Sequence, residues 1–142
     1  MKFRKFGTTY FVRLNKGEEI INSLADFCQK ENIKLASVTG IGASNKLTIG
    51  LYDTEKHKYL SNTLTGEFEI TSLMGNITTQ NGIPYIHIHI NIADQEHKTF
   101  GGHLSSAFIS ATGEIVINTI EGIIERKYDD KSGLNLIWII TK

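Results

Sequence analysis

Apolar and polar positions alternate with a period of two along most of this chain. The pattern is clearest in Tyr85-Ile-His-Ile-His-Ile-Asn-Ile92, because successive side chains of a strand point to opposite faces. Ile86, Ile88, Ile90 and Ile92 then share one face, and Tyr85, His87, His89 and Asn91 share the other. Residues 7–14 predict a first strand, rich in β-branched and aromatic types. Residues 34–39 predict a second, followed by Gly40-Ile-Gly-Ala-Ser-Asn45, which reads as a tight turn. Residues 46–53 and 57–64 predict a hairpin around Asp53-Thr-Glu-Lys56. Residues 67–79 predict a long strand bent at Gly75, with Asn81-Gly82 as the next turn. Residues 84–93 form the histidine strand, opened by Pro84. The pattern over 104–111 is ambiguous, whereas 114–121 and 134–141 read as strands.

One segment has the helical period instead: Ile20, Ile21, Leu24, Phe27 and Cys28 make a single apolar stripe. Asn15-Lys-Gly-Glu18 reads as a capping-box variant with Asn15 as cap, and Asn32 suits the left-handed end. The fold class predicted is α+β, with one main N-terminal helix packed on a central, largely antiparallel sheet, in one domain over residues 1–142. The Ile86–Ile92 row and Leu134-Asn-Leu-Ile-Trp-Ile-Ile140 ask for more cover than one helix supplies. Either the sheet closes in a barrel-like way or a second copy covers it, and a homo-oligomer is the simpler expectation.

Composition narrows the function classes. The 142 residues carry 15 basic and 15 acidic side chains. That balance argues against DNA binding by bulk electrostatics, for which a pI above about 9 is usual. Lys2, Arg4 and Lys5 form a small basic group, read here as a solvated terminus. The single cysteine, Cys28, excludes an internal disulfide and a zinc-thiolate set. No run approaches the ~18 apolar residues of a membrane span and no signal region opens the chain, so a cytoplasmic location is expected.

The candidate chemistry lies in the histidines. His87 and His89 are two residues apart on one strand, about 6–7 Å apart at their backbones. His103 follows Gly101-Gly102, a pair that would let the chain turn back tightly. Three neutral imidazoles with an open fourth position suit zinc or another first-row metal, and inert polar residues on a strand are the alternative. Glu114 or Tyr85 would serve as a proton-transfer partner, and Glu114 alternatively as a fourth ligand or a plain turn carboxylate. Asp94 and His97 read as turn residues, and Gly40-Ile-Gly42 lacks the third glycine and the helix of a dinucleotide site. The run His87-Ile-His-Ile-Asn91 is similar to that of the histidine-triad nucleotide hydrolases. Asn91 stands where those enzymes carry their nucleophile, and the lone pair of an amide nitrogen is delocalised and not available for attack.

Several pieces together resemble the plants-and-prokaryotes-conserved (PPC) domain: His87-Ile-His89, Asp94, Gly101-Gly-His-Leu104 and Thr112-Gly-Glu-Ile-Val-Ile117. Lys16-Gly-Glu-Glu19 and Val38-Thr-Gly-Ile-Gly-Ala43 fit the same pattern. Gly66-Glu-Phe-Glu-Ile70 is similar to the family's Gly-Arg-Phe-Glu-Ile signature, with Glu67 where plants usually carry arginine. The resemblance implies a trimer, and it implies a metal held by His87, His89 and His103 in some prokaryotic members. In plants the domain follows an AT-hook for A·T-rich DNA, and no Arg-Gly-Arg-Pro occurs in this chain. Two functional expectations follow. One is a trimeric regulatory or interaction module of the candidate DNA-binding class, with Gly66, Glu67, Phe68, Glu69, Ile70 and Thr71 on a strand used for partner or subunit contact. The other is a zinc-dependent enzyme acting on a small polar substrate through His87, His89 and His103.

Overall fold

The period-two pattern produces longer strands than its interruptions suggest, because β3, β4 and β6 each run through a predicted break. The structure is a computed structural model and describes residues 1–139. In chain order it contains β1 (Lys2–Phe6), β2 (Thr9–Asn15), α1 (Ile20–Lys30), β3 (Ala36–Asp53), β4 (Lys58–Gln80), β5 (Ile83–Ala93), β6 (Thr99–Thr119), β7 (Arg126–Asp129) and β8 (Leu134–Ile137). Six strands pair in the order β1-β2-β6-β3-β4-β5, and β5 pairs back onto β6. Every ladder is antiparallel, so β6, β3, β4 and β5 close a ring of pairings. β7 and β8 form a separate two-stranded sheet. These features establish the α+β class with one main helix.

Corrections to the element boundaries have local causes. Gly40–Asn45 is not a turn: β3 runs through it, with register shifts against β4 and β6 between Gly40 and Lys46. Bulges of this kind bend a strand without ending it. Ser44 is fully buried at the bend, where its hydroxyl donates to the Phe108 carbonyl at 2.8 Å. The ambiguous 104–111 stretch lies inside β6, with Leu104, Ala107 and Ile109 buried. Lys2, Arg4 and Lys5 are solvated, as expected, and they lie in β1, which pairs with β2 across a turn at Gly7 (φ 57°). The strand expected over 134–141 ends at Ile137, and residues 140–141 lie outside the described residues. It is not buried on both faces, since Leu136, Ile137, Trp138 and Ile139 are exposed.

The helix begins differently from the expectation as well. Glu19, not Asn15, is the cap, and its carboxylate accepts the N–H groups of Ile21 (3.1 Å) and Asn22 (2.7 Å). The same carboxylate accepts the Ala107 N–H at 2.9 Å, which ties the first turn to β6. Glu18 folds back to accept the Asn15 N–H at 2.7 Å. At the far end Asn32 takes the left-handed conformation (φ 53°), and the Ile33 N–H reaches the Cys28 carbonyl at 2.8 Å.

Ile20, Leu24, Phe27 and Cys28 of α1 are buried in one cluster with Ile88, Ile90 and Ile92 of β5 and Leu104, Ala107 and Ile109 of β6. Fully burying a side chain such as Leu24 or Phe27 contributes about 1.5–3 kcal/mol. Burial also pushes the Cys28 thiol up to about 12, so it packs as an apolar residue. The helix thus holds the isoleucine face of β5, and the opposite face of that strand is left for polar residues.

Gly75 carries a constraint that joins the fold to this polar face. A Cβ there would collide with the His87 carbonyl oxygen and lie 2.8 Å from the Ile88 Cα, both backbone atoms of β5. Gly75→Ala is expected to force β4 and β5 apart and to lower stability by about 1–3 kcal/mol. Urea unfolding monitored by circular dichroism checks this; an unchanged midpoint contradicts it.

Candidate metal centre

Strand register builds the site. β5 turns His87 and His89 to the face opposite its buried isoleucines. The β5–β6 ladder places His89 directly opposite His103, and the β3–β6 ladder places Gly50 opposite His103 on its other side. Gly101 and Gly102 do not form the bend expected from the sequence, because both lie within β6, paired with Asn91 and Ile90. The reversal occurs at Asp94, whose carboxylate accepts the N–H groups of Glu96 and Lys98, each at 2.9 Å. The two glycines are needed for closeness instead. A Cβ on Gly101 would meet the Ile90 carbonyl at 2.9 Å, and one on Gly102 the Gly50 carbonyl at 2.8 Å.

The three rings meet. Centroids lie 5.3 Å apart for His87–His89, 5.3 Å for His87–His103 and 5.6 Å for His89–His103. One ring nitrogen from each falls within 4.8 Å of the others. His87 and His103 are half-buried, while His89 is exposed, so the cluster opens to solvent on the His89 side. Burial is the main cause that pushes His87 down to about 4, with the Arg126 charge second and the other two histidines after it. His103 is lowered by burial and then by His89. His87 and His103 are thereby kept neutral, the form that ligates metal. His103 Nδ1 is buried with no hydrogen-bond partner among the described residues. A buried imidazole nitrogen without a partner, in a cluster of three histidines, fits a first-row metal ion of the zinc type.

Arg126, from β7, was not foreseen. It is buried and donates to Thr78 Oγ1 (2.8 Å), Asn76 Oδ1 (2.9 Å) and the Asn135 carbonyl (2.9 Å). Its Nη2 also lies 3.3 Å from His87 Nδ1. The guanidinium sits over Tyr85 at 4.7 Å, and Tyr59 lies beside His103 with ring centroids 4.9 Å apart. Asn76 and Thr78 are polar positions spaced two apart on β4, opposite His87 and Tyr85, and this register was the available signal. Nothing in Ile123-Ile-Glu-Arg126 itself marks the arginine.

The other expected site residues are more scattered. Tyr85 flanks the cluster beneath Arg126. Glu114 is not brought to it, being paired with Arg13 and Ile41 farther along β6. Glu114 instead lines a cleft of about 720 Å³, together with Lys2, Arg4, Phe11, Ile41 and Met74. Gly66–Thr71 lies within β4, where Ile70 is buried and Thr71 reaches the edge of that cleft.

Comparison with known proteins places the fold among solved structures. A candidate DNA-binding protein from Bacteroides thetaiotaomicron superposes with a TM-score of 0.93 at 33% identity, over 96% of this chain and 95% of that one. A metal-containing protein from Archaeoglobus fulgidus superposes with a TM-score of 0.86 at 32% identity, over 98% of this chain and all 100% of that one. A bifunctional GlmU protein from a Synechococcus strain is 28% identical over 127 residues, which cover 87% of this chain and only 19% of that relative. Residues 1–121 match the profile of the Plants and Prokaryotes Conserved (PCC) domain, so the chain belongs to that family, the PPC domain that its histidine and glycine motifs resemble.

Proposed function

We propose that this chain is a metal-holding PPC-domain module in which His87, His89 and His103 bind one zinc ion. The reading is carried by the convergence of three ring nitrogens within 4.8 Å. The chemistry of the donor set favours zinc, and the metal-containing relative supports a metal in this fold. A bound zinc ion supplies Lewis acidity and a water with its pKa lowered towards about 7. The chain's own residues orient the imidazoles, through strand pairing and the Arg126 contact, and keep two of them half-buried.

The module is proposed to work as a cytoplasmic homo-oligomer, a trimer by family resemblance, with a regulatory or interaction role. Phe11, Ile41 and Met74 are exposed large apolar side chains lining one cleft, on the sheet face turned away from the core. Contiguous apolar surface of this kind marks an interaction site, and Thr71 places the end of the Gly66–Thr71 stretch beside it. DNA is the weaker partner assignment. A formal net charge of 0 supplies little of the counterion release on which non-specific DNA affinity depends. The zinc-dependent enzyme is the second reading. It is favoured by the solvent-facing side at His89 and by Tyr59 and Tyr85 beside the cluster.

Native mass spectrometry tests both parts. The expected species is a trimer with one zinc per chain, and His89→Ala, at an exposed position, is expected to lower zinc affinity by at least about 10–100-fold. A metal-free monomer after incubation with zinc chloride contradicts both. A second prediction concerns the metal-free protein. His87 binds its proton less readily folded, at about 4, than at its ordinary value of 6.5. The stability contributed by its neutral form is complete above about pH 6.5 and is lost as the pH falls towards 4. The thermal midpoint is expected to drop across that window, and less steeply in His87→Asn. Identical pH profiles for the two proteins contradict this.

A further inference from the structure

We propose that the histidine cluster takes a small oxyanion, a carboxylate or a phosphate, whose negative charge is met by Arg126. The inference rests on the metal reading of the cluster and adds the chemical class of its ligand.

The first observation is a buried cation without a counter-charge among the described residues. Arg126 is only 7% exposed. Its hydrogen-bond partners are a hydroxyl, an amide oxygen, a backbone carbonyl and an imidazole, none of them ionised acceptors. The ion pairs among the described residues join Met1 to Glu18, Lys56 to Asp53 and Lys98 to Glu96, and Arg126 enters none of them. Buried charges are ordinarily paired. A guanidinium has five N–H groups, and four have acceptors here, so one Nη1 hydrogen has none among the described residues.

The second observation is a conflict over one lone pair. A neutral imidazole has a single nitrogen lone pair. On His87 that lone pair faces Arg126 at Nδ1, because arginine can only donate. An ion bound by His87 must take a lone pair from the same ring. If Nδ1 ligates, the Arg126 N–H loses its acceptor directly. If Nε2 ligates, the ring proton moves to Nδ1 and meets the guanidinium donor to donor. Either way metal binding strands a second N–H of an already unpaired cation. A neutral ligand leaves the charge and at least one N–H unmatched. An oxyanion beside the ion satisfies both, and the arginine fork suits carboxylate and phosphate oxygens.

The test follows the Arg126 Nε–H resonance by 15N NMR in zinc-loaded protein titrated with sodium acetate, inorganic phosphate or acetamide, the neutral isostere of acetate. At least one anion is expected to move this resonance saturably, with an affinity at least about tenfold above that of acetamide. The variants lack this reporter, so their anion affinities and that of wild type are compared by isothermal titration calorimetry; Arg126→Gln, folded by its thermal melt, is expected to lose the preference for anion over acetamide. Should it not fold, Arg126→Lys keeps the charge without the fork and is expected to weaken binding about tenfold. Acetate alone assigns a carboxylate, phosphate alone a phosphate, and both a general oxyanion site. The proposal is overturned if neither anion moves the resonance, if acetamide binds as well, or if the arginine variants bind like wild type. The same titrations without zinc separate the two layers. Anion binding in a protein that takes up no zinc supports the oxyanion site and removes the metal reading. Zinc uptake with no anion response removes the oxyanion site alone.

Discussion

The antiparallel ladder between β5 and β6 is the interaction on which the rest depends. It closes the ring of strand pairings and sets His89 directly opposite His103. With His87 two residues away on the same face, no side-chain rearrangement is needed to gather three imidazoles. The ladder forms because the isoleucines on the other face of β5 are buried under α1, which fixes the strand's orientation. A slip of one residue would turn the histidines inward and expose Ile88, Ile90 and Ile92. Burial of the isoleucines and presentation of the histidines are therefore one structural event.

Glycine makes the event sterically allowed. Gly75, Gly101 and Gly102 each lie where a Cβ would strike a neighbouring strand, and each borders a strand that carries a ligand candidate. The resulting pocket holds neutral rings beside a buried cation, with burial as the main cause of the lowered proton affinity of both His87 and His103. Such a site disfavours protons and favours a metal ion with an anion beside it. The two proposals share this electrostatic origin, although one rests on nitrogen lone pairs and the other on a guanidinium.

Much of this was legible in the sequence. The alternation in Tyr85–Ile92 gives the strand, its two faces and two of the three ligand candidates, because period two is a direct consequence of strand geometry. The apolar stripe from Ile20 to Cys28 gives the helix and its buried side. What failed were inferences that treated glycine as a chain terminator. Gly40–Gly42 and Gly101–Gly102 suggest turns, yet they sit inside strands at a bulge and at close strand contacts. Glu114 failed for another reason: strand pairing sends it to a separate cleft, which proximity in sequence to a motif does not reveal. Arg126 was invisible because its partners Asn76, Thr78 and His87 lie on strands distant in sequence.

The central claim is that one ion is held by all three imidazoles. X-ray absorption at the zinc edge, on protein reconstituted with one equivalent of zinc, tests it most directly. The account predicts a first shell with three imidazole nitrogens at about 2.0–2.1 Å and the multiple-scattering pattern of histidine rings. A shell made only of water or carboxylate oxygens, without ring scattering, would contradict it.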